Sequence, residues 1–180
     1  MLSSMLFNVS LTSSLAILGL SLIKQLRFWP PPGKKTWQHR VFMVLFRLFL
    51  YPLIALTITE FEWATDPASL ARTSIGIILF CVGFGLAIKI TLDMGWRNAF
   101  GEKKGLRTSG WFSRSRNPIY VATWIGLIGW ASIANSLSVS ILLALWAFLY
   151  VLAPFLEEPW LELQYGDAYR EYRKTVRRFF

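Results

Sequence analysis

The pair Glu157-Glu158 places two adjacent carboxylates at the end of a long apolar stretch, just before Pro159. Comparable ends elsewhere in the chain carry Lys and Arg, so acids at this point favour a cationic partner over a merely solvated helix end. Arg116 is one candidate for that partner, and a cationic ligand is the other. Because adjacent helical positions point about 100° apart, we expect only one carboxylate to face a ligand.

Arg116 lies at the predicted start of a helix, in the segment 110–120, which ends a basic loop and closes on Tyr120. Pro118 suits the first turn of this helix, and Asn117 suits the cap before it. The helix dipole disfavours a cation there unless an anion binds at the same place. We therefore predict that Arg116 binds an anion, either a carboxylate of a ligand or a member of the glutamate pair.

Gly83 and Gly85 lie in an apolar stretch, with Phe84 between them. Two glycines at this spacing remove side chains from neighbouring parts of one helical turn, so a backbone or a ligand can approach. Small residues are also common where membrane helices pack closely, and the glycines taken alone favour that interpretation.

Tyr165, Tyr169 and Tyr172 recur at helical spacing near the end of the sequence, with arginines between them. This pattern is typical of an amphipathic helix at a membrane surface. Gly166-Asp167 predicts a break followed by an N-cap, so Tyr169 should belong to a separate short helix that folds back on the rest of the protein.

Membrane-spanning helices must position these residues, because 54% of the 180 residues are apolar. A helix needs roughly 20 mostly apolar residues to cross the hydrocarbon core. Five stretches meet or approach this length: 5–23, 41–59, 70–91, 119–134 and 137–156. The fourth is short, and only Asn135-Ser136 separates it from the fifth, which predicts a tight hairpin. We predict an all-α, polytopic membrane bundle of about five spans in a single domain, 1–180, with a C-terminal cytoplasmic amphipathic helix.

The charges of the loops predict an orientation, since Lys and Arg are retained on the cytoplasmic side. Basic residues cluster after the first, third and fifth stretches, whereas the connection after the second carries Glu60, Glu62 and Asp66. Five crossings fit this alternation, with the N-terminus outside, the C-terminus cytoplasmic and the active site at the cytoplasmic face. No basic residue precedes the first stretch, which predicts a retained span and not a cleaved signal peptide.

The net charge of +9 could suggest a nucleic-acid partner, but the basic residues lie between apolar stretches. That placement indicates anionic membrane lipids, and we expect no nucleic acid. Cys81 and His39 are the only residues of their types, which excludes a disulfide and disfavours a zinc site. We therefore expect no metal.

The residues Pro30-Pro31-Pro32 predict a stiff elbow between the first two spans, because proline cannot continue a helix. Trp29 and Trp37 flank this elbow. Tryptophans at such a depth usually anchor helices at the membrane interface, and we favour that interpretation over a contact with a ligand.

In their order and spacing, these pieces resemble the membrane methyltransferases that include isoprenylcysteine carboxyl methyltransferase and the phospholipid methyltransferases. The resemblance covers about the last hundred residues. The matching pieces are Gly83-Phe84-Gly85, Met94-Gly95-Trp96-Arg97, the segment 110–120 with Arg116-Asn117-Pro118-Ile119-Tyr120, Glu157-Glu158 and the segment 165–172.

The resemblance implies S-adenosylmethionine bound on the cytosolic side by the region of about 83–180, and a lipophilic or membrane-embedded methyl acceptor. Methyl transfer from a sulfonium needs positioning and electrostatics, with no metal or protein nucleophile. The catalytic residues that it implies are Arg116 and Glu158. The implied cofactor contacts are Gly83, Gly85, Arg116, Asn117, Pro118, Tyr120, Glu157, Glu158 and Tyr169.

One departure and two alternatives accompany the resemblance. The family often has histidine where this chain has Asn117, and asparagine cannot titrate near neutrality. Sterol and steroid reductases are similar in the same region and use a nicotinamide cofactor, and a non-catalytic scaffold of the same fold is the second alternative. Two acids suit a sulfonium or an amino group, whereas a cofactor with an extra phosphate would favour Arg or Lys.

Overall fold

The protein, seen in a computed structural model, is described over residues 1–33, 36–95 and 105–180, and the regular elements within those ranges are all helical. The all-α prediction is therefore confirmed. We number the α-helices in chain order: α1 (Leu2–Leu22), α2 (Trp37–Glu60), α3 (Pro67–Met94), α4 (Pro118–Ala134), α5 (Leu137–Tyr165) and α6 (Asp167–Thr175). Two short 3₁₀ helices, Lys24–Leu26 and Gly110–Ser113, precede α2 and α4.

Helices α1, α2, α3 and α5 are long and apolar enough to cross a membrane. Helix α4 is apolar but has 17 residues, and at 1.5 Å per residue such a helix falls a few Å short of a hydrocarbon core of about 30 Å. The prediction of a polytopic helical bundle is thus confirmed, and the fourth helix is short, as predicted. Helix α5 continues through Pro154 and Pro159 to Tyr165, well beyond the predicted end of the span at 156.

Local hydrogen bonds fix the ends of the helices. At the start of α3, the Oδ1 atom of Asp66 accepts from the N–H of Ser69 (3.1 Å), and Ser69 Oγ accepts from the N–H of Asp66 (3.2 Å). The predicted hairpin between α4 and α5 is confirmed, because Asn135 turns the chain in the left-handed region with φ of 47°. Ser136 Oγ then caps α5 by accepting from the N–H of Val139 (3.2 Å).

The N-cap that was predicted for α6 is wrong by one residue. Gly166 occupies the cap position with φ of 55°, and Asp167 is the first residue of the helix. The Asp167 carboxylate accepts from Arg170 Nη1 at 2.6 Å instead of capping the backbone. Glycine takes the cap because it adopts a positive φ at low cost.

The most extensive helix contact that the described ranges contain is between α3 and α4, and glycines bring these two helices together at backbone distance. A Cβ atom added at Gly83 would lie 2.1 Å from the backbone nitrogen of Gly126. A Cβ atom at Gly129 would lie 2.3 Å from the backbone nitrogen of Phe80. Gly85, by contrast, would have no atom within 4 Å of its added Cβ. The close packing that was favoured for such glycines is therefore confirmed at Gly83.

Gly83→Ala should destabilise the bundle by about 1–3 kcal/mol, because the new methyl group overpacks a contact with backbone atoms that cannot move aside. Gly85→Ala is the matched control on the same helix, and its methyl group meets open space. Thermal unfolding of the purified variants measures the difference. Equal melting temperatures for the two variants would contradict the glycine contact between α3 and α4.

Candidate functional site

A cavity of about 460 Å³ lies at one end of the bundle. Its walls come from the elbow before α2, the start of α2, the end of α3, the start of α4, the end of α5, and α6. The charge pattern of the loops assigns these helix ends to the same side of the membrane. The volume falls within the range of about 300–1,000 Å³ that is usual for small-molecule sites.

Aromatic rings form much of the cavity wall. The rings of Tyr120 and Tyr150 have centroids 4.6 Å apart, and those of Trp29 and Phe42 are 4.8 Å apart. The faces of such rings are electron-rich and attract cations. The remaining aromatic residues of the wall are Phe46, Phe112, Trp160, Tyr165, Tyr169 and Tyr172.

Glu157 lies on the cavity wall near the end of α5. Its Oε1 atom accepts two hydrogen bonds, from Trp29 Nε1 at 2.8 Å and from the Tyr120 hydroxyl at 2.5 Å. Within the described ranges no donor reaches its Oε2 atom. One carboxylate oxygen is thus held by the protein, while the other is left to accept from a ligand.

Glu158 has a different environment, although it is the next residue in the chain. Its side chain is 9% exposed, and its carboxylate lies between two guanidinium groups. Oε1 accepts from Arg116 Nη2 at 2.7 Å and from Arg178 Nε at 2.8 Å, and Oε2 accepts from Arg178 Nη2 at 2.7 Å. Glu158 therefore bonds to the protein through both oxygens. The prediction that Arg116 binds an anion is confirmed for its second option, a member of the glutamate pair.

Arg116 and Asn117 join the start of α4 to the last residues of the chain. Arg116 Nη1 donates to the carbonyl oxygens of Arg173 (3.0 Å) and Val176 (3.3 Å). Asn117 occupies the predicted cap position of α4, but its side chain makes no capping hydrogen bond. Its Nδ2 atom donates instead to the carbonyl of Arg178 at 2.9 Å.

Helix α6 folds back on the bundle as predicted and buries Tyr169 and Tyr172. Burial raises the pKa of Tyr172 to about 12, and burial likewise raises the pKa of Tyr169. Both hydroxyls therefore remain protonated near neutral pH. The Tyr172 hydroxyl uses its proton to donate to the carbonyl of Phe112 at 2.6 Å, which ties α6 to the segment before α4.

The structure brings most of the predicted site residues to this cavity. Those on its wall are Arg116, Asn117, Pro118, Tyr120, Glu157, Glu158 and Tyr169. Gly83 and Gly85 are not among them. Gly83 lies in the contact between α3 and α4, and Gly85 is exposed on another face of α3. In the segment 94–97, which carries part of the family resemblance, Met94 lies on the cavity wall. Residues 96–97 fall outside the described residues.

Two further residues of the site were not predicted from the sequence. The sequence favours an interface anchor at Trp29, yet its indole nitrogen donates to Glu157. Its position beside the proline elbow at Pro30 was the available signal in the sequence. Arg178 is one of several bases in the C-terminal segment, and nothing in the local pattern distinguishes it from Arg177.

Arg116→Lys should lower the free energy of unfolding by about 1.5–3 kcal/mol, since a point charge cannot reproduce the planar contacts with Glu158 and two carbonyls. Arg114→Lys is the control, because Arg114 is exposed and should tolerate the change within about 0.5 kcal/mol. Denaturant unfolding in detergent provides the measurement. An Arg116→Lys variant as stable as Arg114→Lys would show that these contacts do not hold the fold.

Comparison with protein families matches residues 71–168 to the phospholipid methyltransferase family. The matched segment is more than half of the 180 residues. It contains nearly all of α3, the whole of α4 and α5, and both glutamates of the site. Neither the curated proteins nor the solved structures gave a significant match. The chain therefore belongs to the phospholipid methyltransferase family, a family of membrane methyltransferases.

Proposed function

We propose that this protein is an S-adenosylmethionine-dependent methyltransferase that acts on a lipophilic acceptor at the cytoplasmic face of the membrane. The observation that carries the proposal is Glu157, which presents an open carboxylate oxygen to an aromatic cavity in a chain of this family. The charge alternation of the loops supports the cytoplasmic position of that cavity.

The cavity suits this cofactor in volume, charge and lining. Its volume of about 460 Å³ can enclose a drug-sized molecule. The open oxygen of Glu157 can accept from an ammonium group or from ribose hydroxyls. The surrounding rings favour a positively charged group over their faces. A sulfonium, an ammonium and a flat base therefore each have matching chemistry on the cavity wall.

The residues of the cavity contribute by placement. S-adenosylmethionine, when bound, supplies a methyl group on a sulfonium that is already activated for displacement. Trp29 and Tyr120 hold Glu157 in one orientation, so its second oxygen is positioned before a ligand arrives. The aromatic wall makes the surroundings of the site less polar, which strengthens electrostatic contacts within it.

Arg116 and Glu158 are assigned a different role from the catalytic one that the resemblance implied. Each lies on the wall, but Arg116 forms an ion pair with Glu158, and Glu158 forms a second ion pair with Arg178. A carboxylate with both oxygens bound to guanidinium groups has little capacity left for a ligand. We assign this pair to holding the start of α4 against the end of α5.

A narrow apolar groove adjoins the cavity and supports the lipophilic nature of the acceptor. It lies between α1, α2 and α5 and shares Trp29, Phe42, Phe46 and Tyr150 with the cavity. The hydroxyl of Ser21 on its wall donates to the carbonyl of Ile17 at 2.7 Å, so this hydroxyl is paired within its own helix. The groove has a free volume of about 30 Å³. A hydrocarbon chain of the acceptor would have to move its side chains apart to enter, and would then leave its polar end in the cavity.

Glu157→Gln should weaken the binding of S-adenosylmethionine at least about tenfold, because a charged hydrogen-bond partner in a partly dry site contributes about 1.5–3 kcal/mol. Glu158→Gln should act mainly on stability, since breaking a buried ion pair costs about 3–5 kcal/mol. Its effect on cofactor affinity should be smaller than that of Glu157→Gln, because it reaches the cofactor only through the position of α5. Calorimetric titration of the folded variants measures both affinities.

Parent-like cofactor affinity in the Glu157→Gln variant would remove the proposed role of the carboxylate. The same titration with a reduced nicotinamide dinucleotide tests the reductase alternative. Binding of that cofactor in place of S-adenosylmethionine would replace the methyltransferase proposal, and binding of neither would favour the scaffold.

Leu18→Phe should reduce methyl transfer to a total lipid extract at least about fivefold, since overpacking of this kind typically costs about 1–3 kcal/mol. Leu18 lines the groove, whereas Leu15 on the same helix is 48% exposed and does not. Leu15→Phe is therefore the matched control. Radiolabelled methyl incorporation is measured beside cofactor affinity, which neither change should alter. Equal transfer by the two variants would exclude the groove as the acceptor site.

A further inference from the structure

The last residues of the chain, 176–180, form a C-terminal strap that crosses the start of α4. Arg116 donates its backbone N–H to the carbonyl of Arg177 at 2.9 Å. Ser115 Oγ donates to the carbonyl of Arg178 at 3.2 Å, and Asn117 Nδ2 donates to the same carbonyl at 2.9 Å. Three consecutive residues before α4 are thus bonded to the strap.

The side chains of the strap add contacts with α4 and α5. The Arg178 guanidinium bonds to both oxygens of Glu158 and lies over the Phe155 ring, with Cζ 4.1 Å from the ring centroid. The ring of Phe179 lies 5.0 Å from that of Trp124 on α4. Arg178 therefore contacts α5 through its side chain and the start of α4 through its carbonyl.

The end of α5 needs such an external support because of its prolines. Pro154 and Pro159 lie inside the helix, and each removes one backbone hydrogen bond of the helical ladder. A helix so interrupted bends readily, and its direction beyond the proline then depends on tertiary contacts. Glu157 and Glu158 lie between these two prolines.

We propose that Arg178 is a positioning residue for the cofactor cavity, holding the proline-interrupted end of α5 through Glu158 so that Glu157 faces the cavity. This inference rests on the proposed function for its ligand. The strap itself lies behind the wall and not on it, whereas Arg116, Asn117 and Glu158 are on the wall and each bonds to the strap.

Asn117 acquires a specific role in this arrangement. The family often has histidine at this position. Here the amide of Asn117 holds the strap by donating a hydrogen bond to the carbonyl of Arg178. The amide needs no titration for this task, since it donates an N–H at any physiological pH. Asn117 is then a second positioning residue, which acts on Glu158 through Arg178.

Arg178→Gln and Arg177→Gln form a matched pair of variants for the test. Both remove one charge from the strap, but Arg177 is exposed and its side chain does not contact Glu158. Hydrogen exchange of the ligand-free protein should rise between residues 155 and 165 in Arg178→Gln alone. The dissociation constant of S-adenosylmethionine should rise about tenfold in Arg178→Gln, because one charged contact is lost. The value for Arg178→Lys should lie between those of the parent and Arg178→Gln, since lysine keeps the charge without the planar contact.

A double-mutant cycle separates positioning from general stability. If Arg178 acts through the placement of Glu157, then Arg178→Gln should have little further effect on cofactor affinity in the Glu157→Gln background. Fully additive losses, or equal exchange in the two arginine variants, would overturn the inference. A parent protein that binds no S-adenosylmethionine would overturn the proposed function and the cofactor role of Arg178. The exchange measurement would still decide whether Arg178 holds the end of α5.

Discussion

The buried carboxylate of Glu158 is the interaction on which the arrangement of the site depends. A charge removed from water costs several kcal/mol unless partners surround it, and the loss of one partner leaves that cost uncompensated. The two partners of Glu158 come from the start of α4 and from the C-terminal strap. Satisfying one carboxylate therefore brings three distant chain segments together, and these segments support one wall of the cavity.

Because of this constraint, Glu157 and Glu158 have different roles. Helical geometry turns adjacent side chains about 100° apart, so Glu158 can point to the strap while Glu157 points to the elbow before α2. Trp29 and Tyr120 then hold Glu157 by one oxygen only. A ligand that carries donors and a positive charge meets a site that is already oriented, which reduces the cost of binding.

The membrane helices provide the frame for that constraint. Glycine contacts join α3 and α4 at backbone distance, so the longer helix α3 holds α4 in position. Lipid tails are as apolar as the helix surfaces, so the hydrophobic effect does little to drive one membrane helix against another. Close packing by small residues therefore supplies part of the attraction between helices. The polar contacts of the site lie at one end of the bundle, where α4 begins and α5 approaches its end.

The sequence alone determined the helices, the hairpin at Asn135, and the expectation that Arg116 binds an anion. Hydropathy, turn residues and the helix dipole are local properties, so a linear pattern reports them. The tertiary structure decided which glutamate is open to the cavity, and it placed Gly83 in a helix contact away from the site. It also placed Trp29 and the C-terminal strap beside α5, although 128 residues of sequence separate Trp29 from Glu157. Such contacts depend on the rotation of each helix and on chain segments far apart in sequence, which no local periodicity encodes.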